Sequence, residues 1–162
     1  MPELQLYPQT PRLEESHGKC PNGTAGVKVE QCKGLSLVLI TVRKATRDAC
    51  IRKLKAAYDL DPPVTAKIAQ GRDLSLLWHG RDSWLAVARE KPDLESELRT
   101  AVGGLSSIVD LSDARIVLRI SGVVVRALLA KGLSIDLHPP YVQARRYRYD
   151  DAVACCDPDL AD

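Results

Sequence analysis

Three side chains near the amino terminus have the types that bind metal ions. His17, Cys20 and Cys32 would offer an imidazole and two thiolates, which are ligands that zinc prefers in proteins. Their spacing matches no standard zinc signature, and no CxxC pair accompanies them. Because they lie in a segment rich in glycine and proline, we interpret them as loop residues and predict no metal site.

A second group of reactive types lies between two predicted strands. Asp110, Asp113 and Arg115 place carboxylates beside a guanidinium, a combination that occurs in acid–base catalysis. However, Ser112 and Asp113 occupy a corner, where short polar side chains hydrogen-bond to the backbone. We therefore predict a structural corner, in which a carboxylate accepts hydrogen bonds from backbone amides and can pair with Arg115.

Histidine and tryptophan side chains lie beside the predicted turns. His79 and His138 each adjoin a turn, and we interpret them as turn or interface residues rather than proton shuttles. Trp78 and Trp84 are predicted to anchor the core or an interface, since large aromatic side chains dominate both kinds of contact. No residue of this chain is predicted to be catalytic, cofactor-binding or metal-binding.

Arginine and tyrosine are interleaved at residues 145–149, near the carboxyl terminus. Stacking rings beside guanidinium groups are typical of proteins that bind single-stranded nucleic acid. This run is short and is followed by aspartates, and the formal net charge of the chain is only +2. We therefore predict no nucleic acid partner.

The composition also gives information about the cellular compartment in which the protein works. The longest apolar stretch, residues 35–42, is far shorter than the roughly 20 residues that a membrane-spanning helix requires. The amino terminus lacks the basic-then-apolar order of a secretory signal. The five cysteines are odd in number and irregularly spaced, which favours free thiols in a reducing compartment. We predict a cytoplasmic protein without membrane contact.

The chain divides by composition into three parts. Residues 1–34 contain many prolines and glycines without sustained periodicity and are predicted to be a poorly ordered leader. Residues 35–140 carry the apolar periodicity of a folded domain. Residues 141–162 form an atypical tail without strand-length alternation, which we predict to be disordered. A frameshift or truncation at the carboxyl terminus is one hypothesis for this tail.

The folded part alternates strands and helices. A continuous apolar strand is predicted first, followed by a helix with Thr46 as its N-cap and a stop at Pro62. A hairpin follows, in which the two tryptophans can pair if their faces coincide. A second helix ends at Gly103, and Ser121 is predicted to cap a third. The predicted strands are 35–43, 74–79, 83–88, 106–112 and 114–121. This order predicts an α+β fold.

Several of these segments together resemble the gamma subunit of heterotetrameric sarcosine oxidase. The resemblance spans residues 35–140 and combines the hairpin, the corner, and the third helix with the segment that follows it. The matching residues are Leu77-Trp78, Gly80, Asp82, Trp84-Leu85, Asp110–Arg115, Val117–Arg119, Ser121-Gly122, Leu128–Gly132 and Asp136–Pro139.

The resemblance implies a fold and a role that composition does not show. It implies ferredoxin-like βαβ elements and a distant similarity to the folate-binding domain of the glycine-cleavage aminomethyltransferase. The complex would demethylate sarcosine oxidatively to glycine, with oxygen as oxidant and transfer of the one-carbon unit to tetrahydrofolate. FAD, FMN, NAD, zinc and tetrahydrofolate would belong to the partner alpha, beta and delta subunits. This chain would support assembly without a cofactor of its own.

The chain departs from the family pattern in three places. Val123 replaces the usual proline after Gly122, Leu133 replaces a cysteine, and the segment after Pro140 lacks the expected strands. The last departure predicts a domain that is incomplete at its carboxyl terminus. The residues expected at contacts or in the scaffold are Trp78, Trp84, Asp110, Ser112, Asp113, Arg115, Asp136 and His138.

A stand-alone folate-binding protein related to the aminomethyltransferases is the alternative function. In the related protein of tRNA modification, Lys-Gly is followed by Cys-Tyr-x-Gly-Gln-Glu. Here Lys131-Gly132 is followed by Leu133-Ser134, so that motif is absent.

Overall fold

The computed structural model describes residues 14–19, 25–132 and 154–155. These residues form nine strands, three α-helices and one turn of 3-10 helix. In chain order they are β1 (Glu14–Lys19), β2 (Ala25–Cys32), β3 (Leu35–Val42), the 3-10 turn (Lys44–Thr46), α1 (Arg47–Tyr58), β4 (Ile68–Gln70), β5 (Ser75–Gly80), β6 (Ser83–Arg89), α2 (Leu94–Val102), β7 (Ser106–Asp110), β8 (Val117–Ser121), α3 (Val125–Gly132) and β9 (Ala154–Cys155).

A five-stranded antiparallel sheet lies at the centre of the described part. Its strand order is β4-β5-β6-β3-β7. Without the three-residue β4, the order β5-β6-β3-β7 and the sequence β3-α1-β5-β6-α2-β7 are those of a ferredoxin-like unit. The predicted α+β class and ferredoxin-like elements are therefore confirmed.

Both faces of this sheet are covered, as the continuous apolar sequence of β3 predicts. Successive side chains of a strand point to opposite faces, so Val38 and Ile40 pack with the helices while Leu37 packs on the other side. All three are at most 2% exposed. The helices contribute residues one turn apart to the core, namely Cys50 and Leu54 from α1 and Leu94, Leu98 and Val102 from α2.

A second sheet has the strand order β1-β2-β8-β9. Val117 of β8 packs against Leu37, Leu77 and Leu85, so this strand covers the face of the central sheet that lies opposite the helices. Gly122 follows β8 with a φ of +124°, and a Cβ there would clash with the carbonyl of Gly26. Glycine at this position therefore permits the close approach of the β2 and β8 backbones.

The second sheet differs from two predictions. Residues 1–34 were expected to be a poorly ordered leader, yet β1 and β2 lie within them, and Val27 is 4% exposed. The tail at 141–162 was expected to be disordered; of this tail the structure describes Ala154 and Cys155, which form β9 and pair with β8 in parallel. β1 pairs with the adjacent β2, whereas β2 and β9 both pair with β8, which is distant in sequence, so local composition does not indicate these two strands.

Helix boundaries agree with the predictions more closely than helix caps do. Thr46 directly precedes α1, but its hydroxyl donates to the carbonyl of Leu105 at 2.7 Å and caps no amide of the helix. Gly103 ends α2 in the left-handed conformation, as predicted. Ser121 is wrong as the N-cap of α3, because it is the last residue of β8 and the helix begins at Val125.

Candidate functional site

The predicted corner between β7 and β8 is confirmed at Asp110. One oxygen of the Asp110 carboxylate accepts a hydrogen bond from the amide of Ser112 at 2.9 Å and another from the Ser112 hydroxyl at 2.6 Å. The same hydroxyl accepts a hydrogen bond from the amide of Leu37 at 3.0 Å. These bonds lower the pKa of Asp110, with the Ser112 hydroxyl as the largest cause and the Ser112 amide next. The corner therefore fastens the end of β7 to β3.

Asp113 and Arg115 occupy the rest of the corner. Asp113 is exposed on a short turn that the amide of Ala114 closes by donating to the carbonyl of Leu111. Arg115 is half-buried, and its charge acts on His79 in the neighbouring hairpin. Burial first, and then this charge, lower the pKa of the His79 imidazole.

The two tryptophans stand directly opposite each other in the β5–β6 hairpin, so the predicted pairing is confirmed. Their environments differ. Trp84 is fully buried, and its indole nitrogen donates to the carbonyl of Pro63 at 2.8 Å. Trp78 is half-buried, and its indole nitrogen has no hydrogen-bond partner within the described ranges. Trp84 is therefore a core anchor, while Trp78 retains partial access to solvent.

A serine and a histidine lie close together at the end of the same hairpin. The Ser83 hydroxyl is 3.5 Å from Nδ1 of His79, beside an irregularity in the register between Trp78 and Gly80. In the Ser–His–Asp arrangement, a carboxylate orients the histidine that activates the serine. The nearby Asp82 carboxylate instead lies 3.3 Å from Nε of Arg47. These contacts support a role in holding the hairpin turn against α1.

The described residues also form an open cleft of about 630 Å³ at the other end of the hairpin. Sequence reasoning did not find it, because its walls come from three separate segments. The signal in the sequence was the pair of arginines, Arg72 and Arg89, that flank the hairpin. The lining residues are Leu35, Gly71, Arg72, Asp73, Leu74, Ser75, Val87, Ala88, Arg89 and Lys91.

Two of the predicted contact residues, Asp136 and His138, lie outside the described residues. Of the other six, the structure brings Asp110 and Ser112 into direct contact and pairs Trp78 with Trp84. Among the residues described, no group of three or more histidine, cysteine, aspartate or glutamate side chains is placed to hold a metal ion. None of the described helices has the length and apolar character needed to cross a membrane.

The family model described as "Sarcosine oxidase, gamma subunit family" matches residues 43–147, which include the hairpin, the corner and α3. The chain belongs to the sarcosine oxidase gamma subunit family. The predicted resemblance is thereby confirmed.

Curated relatives within the gamma subunit family match a shorter segment. The sarcosine oxidase subunit gamma of Arthrobacter sp is 42% identical over 66 residues, and that of Corynebacterium sp. (strain P-1) is 41% identical over the same length. Each alignment covers 40% of this chain and 32% of the relative. This chain therefore spans about a third of the length of these relatives.

Two solved structures resemble the fold of this gamma-family chain. One is a chain of the heterotetrameric sarcosine oxidase from Corynebacterium sp. U-96 in complex with pyrrole 2-carboxylate. It has a TM-score of 0.63 and 27% identity, and the match covers 74% of this chain and 62% of that one.

The other solved structure is the glycine cleavage system aminomethyltransferase T from Bartonella henselae. It has a TM-score of 0.50 and 18% identity, and the match covers 68% of this chain and 33% of that one. The second match confirms the predicted aminomethyltransferase-like fold.

Proposed function

We propose that this chain is an accessory subunit that supports the assembly of a heterotetrameric sarcosine oxidase. The complex would demethylate sarcosine oxidatively to glycine and transfer the one-carbon unit to tetrahydrofolate. Its alpha, beta and delta subunits would hold FAD, FMN, NAD, zinc and tetrahydrofolate, and the complex would work in the cytoplasm. Membership of the gamma subunit family is the observation that carries this proposal.

Exposed apolar side chains on α3 support a role in assembly. Val124 and Leu128 lie one turn apart and are 44% and 47% exposed, while the preceding Val123 is 80% exposed. Val124 directly precedes α3 and its carbonyl accepts a hydrogen bond from the amide of Leu128 at 3.0 Å, so the two side chains lie on one side of the first turn and form one apolar stripe. Contiguous apolar surface of this kind is typical of contacts with other proteins.

The polar groups of the site support the same role. The Asp110 carboxylate and the Ser112 hydroxyl bond to each other and to the backbone, and the Trp84 indole bonds to a backbone carbonyl. Their hydrogen bonds stabilise the junctions between strands. A scaffold that presents a fixed surface to larger partners requires junctions of this kind.

Affinity purification of the tagged chain from cells that express the other sarcosine oxidase subunits tests the proposal. We expect the chain to elute with larger polypeptides that carry flavin absorbance. Elution of the chain alone, as a stable monomer, would contradict the proposal.

The likeness to aminomethyltransferase T favours one alternative, a stand-alone folate-binding protein. That likeness concerns the fold alone. Calorimetric titration of the isolated chain with tetrahydrofolate separates the two functions, because only the alternative predicts saturable binding without the partner subunits.

A further inference from the structure

The cleft of about 630 Å³ at the open end of the β5–β6 hairpin is the feature that the structural role leaves unexplained. Its lining combines apolar side chains, among them Leu35, Leu74 and Val87, with the cationic side chains of Arg72, Arg89 and Lys91. Asp73 is the one carboxylate among the lining residues. The chain has no large excess of positive charge overall, with a formal net charge of +2, so this concentration of cations is local.

The cationic side chains of the cleft differ in whether a carboxylate of the described residues pairs with them. The ammonium group of Lys91 lies 2.6 Å from a carboxylate oxygen of Glu97, and this hydrogen bond is the largest cause of the raised pKa of Lys91. The guanidinium groups of Arg72 and Arg89 make no ion pair or hydrogen bond within the described part of the chain. Both arginines are exposed. As far as the described residues show, two guanidinium groups on one cleft thus remain available to carboxylates of another polypeptide.

The backbone holds both rims of the cleft in place. On one rim the amide of Gly71 donates to the carbonyl of Leu74 at 2.9 Å, which closes the turn that carries Arg72. On the other rim the amide of Glu90, a non-glycine residue with a φ of +48°, donates to the carbonyl of Gly34 at 2.8 Å. A surface that is ordered before binding loses less conformational entropy when a partner arrives.

The form of the cleft favours a polypeptide over a small molecule. A site for a small ligand usually buries its polar groups and most of the ligand surface. Here the two arginines are exposed and share the cleft with apolar lining residues, a combination typical of a protein–protein contact with a polar rim. Guanidinium groups bind carboxylates in paired, charge-assisted hydrogen bonds, so the matching segment carries Asp or Glu beside apolar side chains.

We propose that this cleft binds an acidic segment of a partner polypeptide, with Arg72 and Arg89 as the residues that select its carboxylates. This inference rests on the proposed function, because it assigns a contact surface to the assembly subunit. The cleft lies at the end of the central sheet opposite the turn of the hairpin and is lined by neither α3 nor the corner. It is therefore a second candidate contact, separate from the apolar stripe of α3.

Charge reversal within the co-expressed complex tests this proposal. We expect the double variant Arg72→Glu/Arg89→Glu to weaken binding to the other sarcosine oxidase subunits by about tenfold or more, since like charges then face each other at the contact. Arg52→Glu, at an exposed position of α1, is the matched control and should bind as the unmodified chain does. The variant Arg72→Lys/Arg89→Lys should bind more weakly than the unmodified chain but more tightly than the charge-reversed variant, because the charges remain while the paired hydrogen bonds of the guanidinium groups are lost.

The outcomes separate this proposal from the proposed function. Equal binding by the charge-reversed variant, its control and the unmodified chain would overturn the cleft proposal and leave the assembly role intact. Failure of the unmodified chain to bind would overturn both. Glutarate, titrated into the isolated chain by calorimetry, probes the small-molecule alternative. Tight glutarate binding that Arg72→Glu/Arg89→Glu abolishes would contradict a polypeptide ligand, and absence of such binding supports it.

Discussion

At the scale of single residues, the Ser112 hydroxyl connects two strands. It donates to the carboxylate of Asp110 and accepts from the amide of Leu37, so it links the end of β7 to β3. Removal of such a group leaves a partly buried amide without its partner, which costs more than the net value of one hydrogen bond.

We predict that Ser112→Ala lowers the free energy of unfolding by about 1–2 kcal/mol. Urea denaturation followed by circular dichroism measures this change. Ser107→Ala, at an exposed position of β7, is the matched control and should change stability little. Equal stability of the two variants would show that the corner bonds contribute nothing to the fold.

His79 makes stability depend on pH. Burial, and then the charge of Arg115, lower its pKa from the ordinary value of 6.5, so the folded state binds this proton less readily than the unfolded state. Its contribution is fully present above the unfolded pKa and is lost as pH falls from there towards the folded pKa. We expect His79→Gln to flatten the decline of stability between about pH 7 and pH 5.

Thermal denaturation at a series of pH values measures this effect. Arg115→Gln removes only the second cause of the lowered pKa, so it should flatten the curve less than His79→Gln does. A steeper decline in His79→Gln than in the unmodified chain would contradict the assignment.

At the scale of elements, α2 and α3 are both amphipathic helices, but they differ in how far their apolar side chains are buried. Leu94, Leu98 and Val102 of α2 are fully buried against the sheet, whereas Leu128 of α3 and Val124, which directly precedes that helix, remain exposed. The apolar periodicity of the two sequences does not distinguish them, because it shows that a stripe exists but not what covers it.

We predict that Leu98→Ala lowers the free energy of unfolding by about 2–5 kcal/mol, since it leaves a cavity in the core. Leu128→Ala is the matched substitution on an exposed helix face, and we expect it to change the stability of the isolated chain by less than about 0.5 kcal/mol. Urea denaturation of both variants provides the comparison. A comparable loss in the two variants would contradict the exposed position of Leu128.

The elements that sequence reasoning predicted are those with local signals. The apolar run of β3, the turn of the β5–β6 hairpin and the glycine after α2 each lie within or beside the element they define. β2 and β9 carry weak local signals, and their pairing with β8 joins residues distant in sequence. The predicted cap at Ser121 is wrong because that residue pairs with Lys28 at the end of β8.

At the scale of the whole molecule, the candidate site was predictable only in part. The Asp110–Ser112 corner is local in sequence and follows from turn chemistry. The cleft joins Leu35, residues 71–75 and residues 87–91, which meet only after the central sheet has formed. The family resemblance could be stated from short motifs, whereas the proposed contact surfaces depend on which side chains the fold leaves exposed.

Native mass spectrometry of this chain co-expressed with the remaining sarcosine oxidase subunits shows whether it is an assembly subunit. Our prediction is one complex that contains this chain and three partner subunits and that oxidises sarcosine. It would be contradicted if the other subunits formed an active complex from which this chain was absent while the chain itself remained a folded monomer.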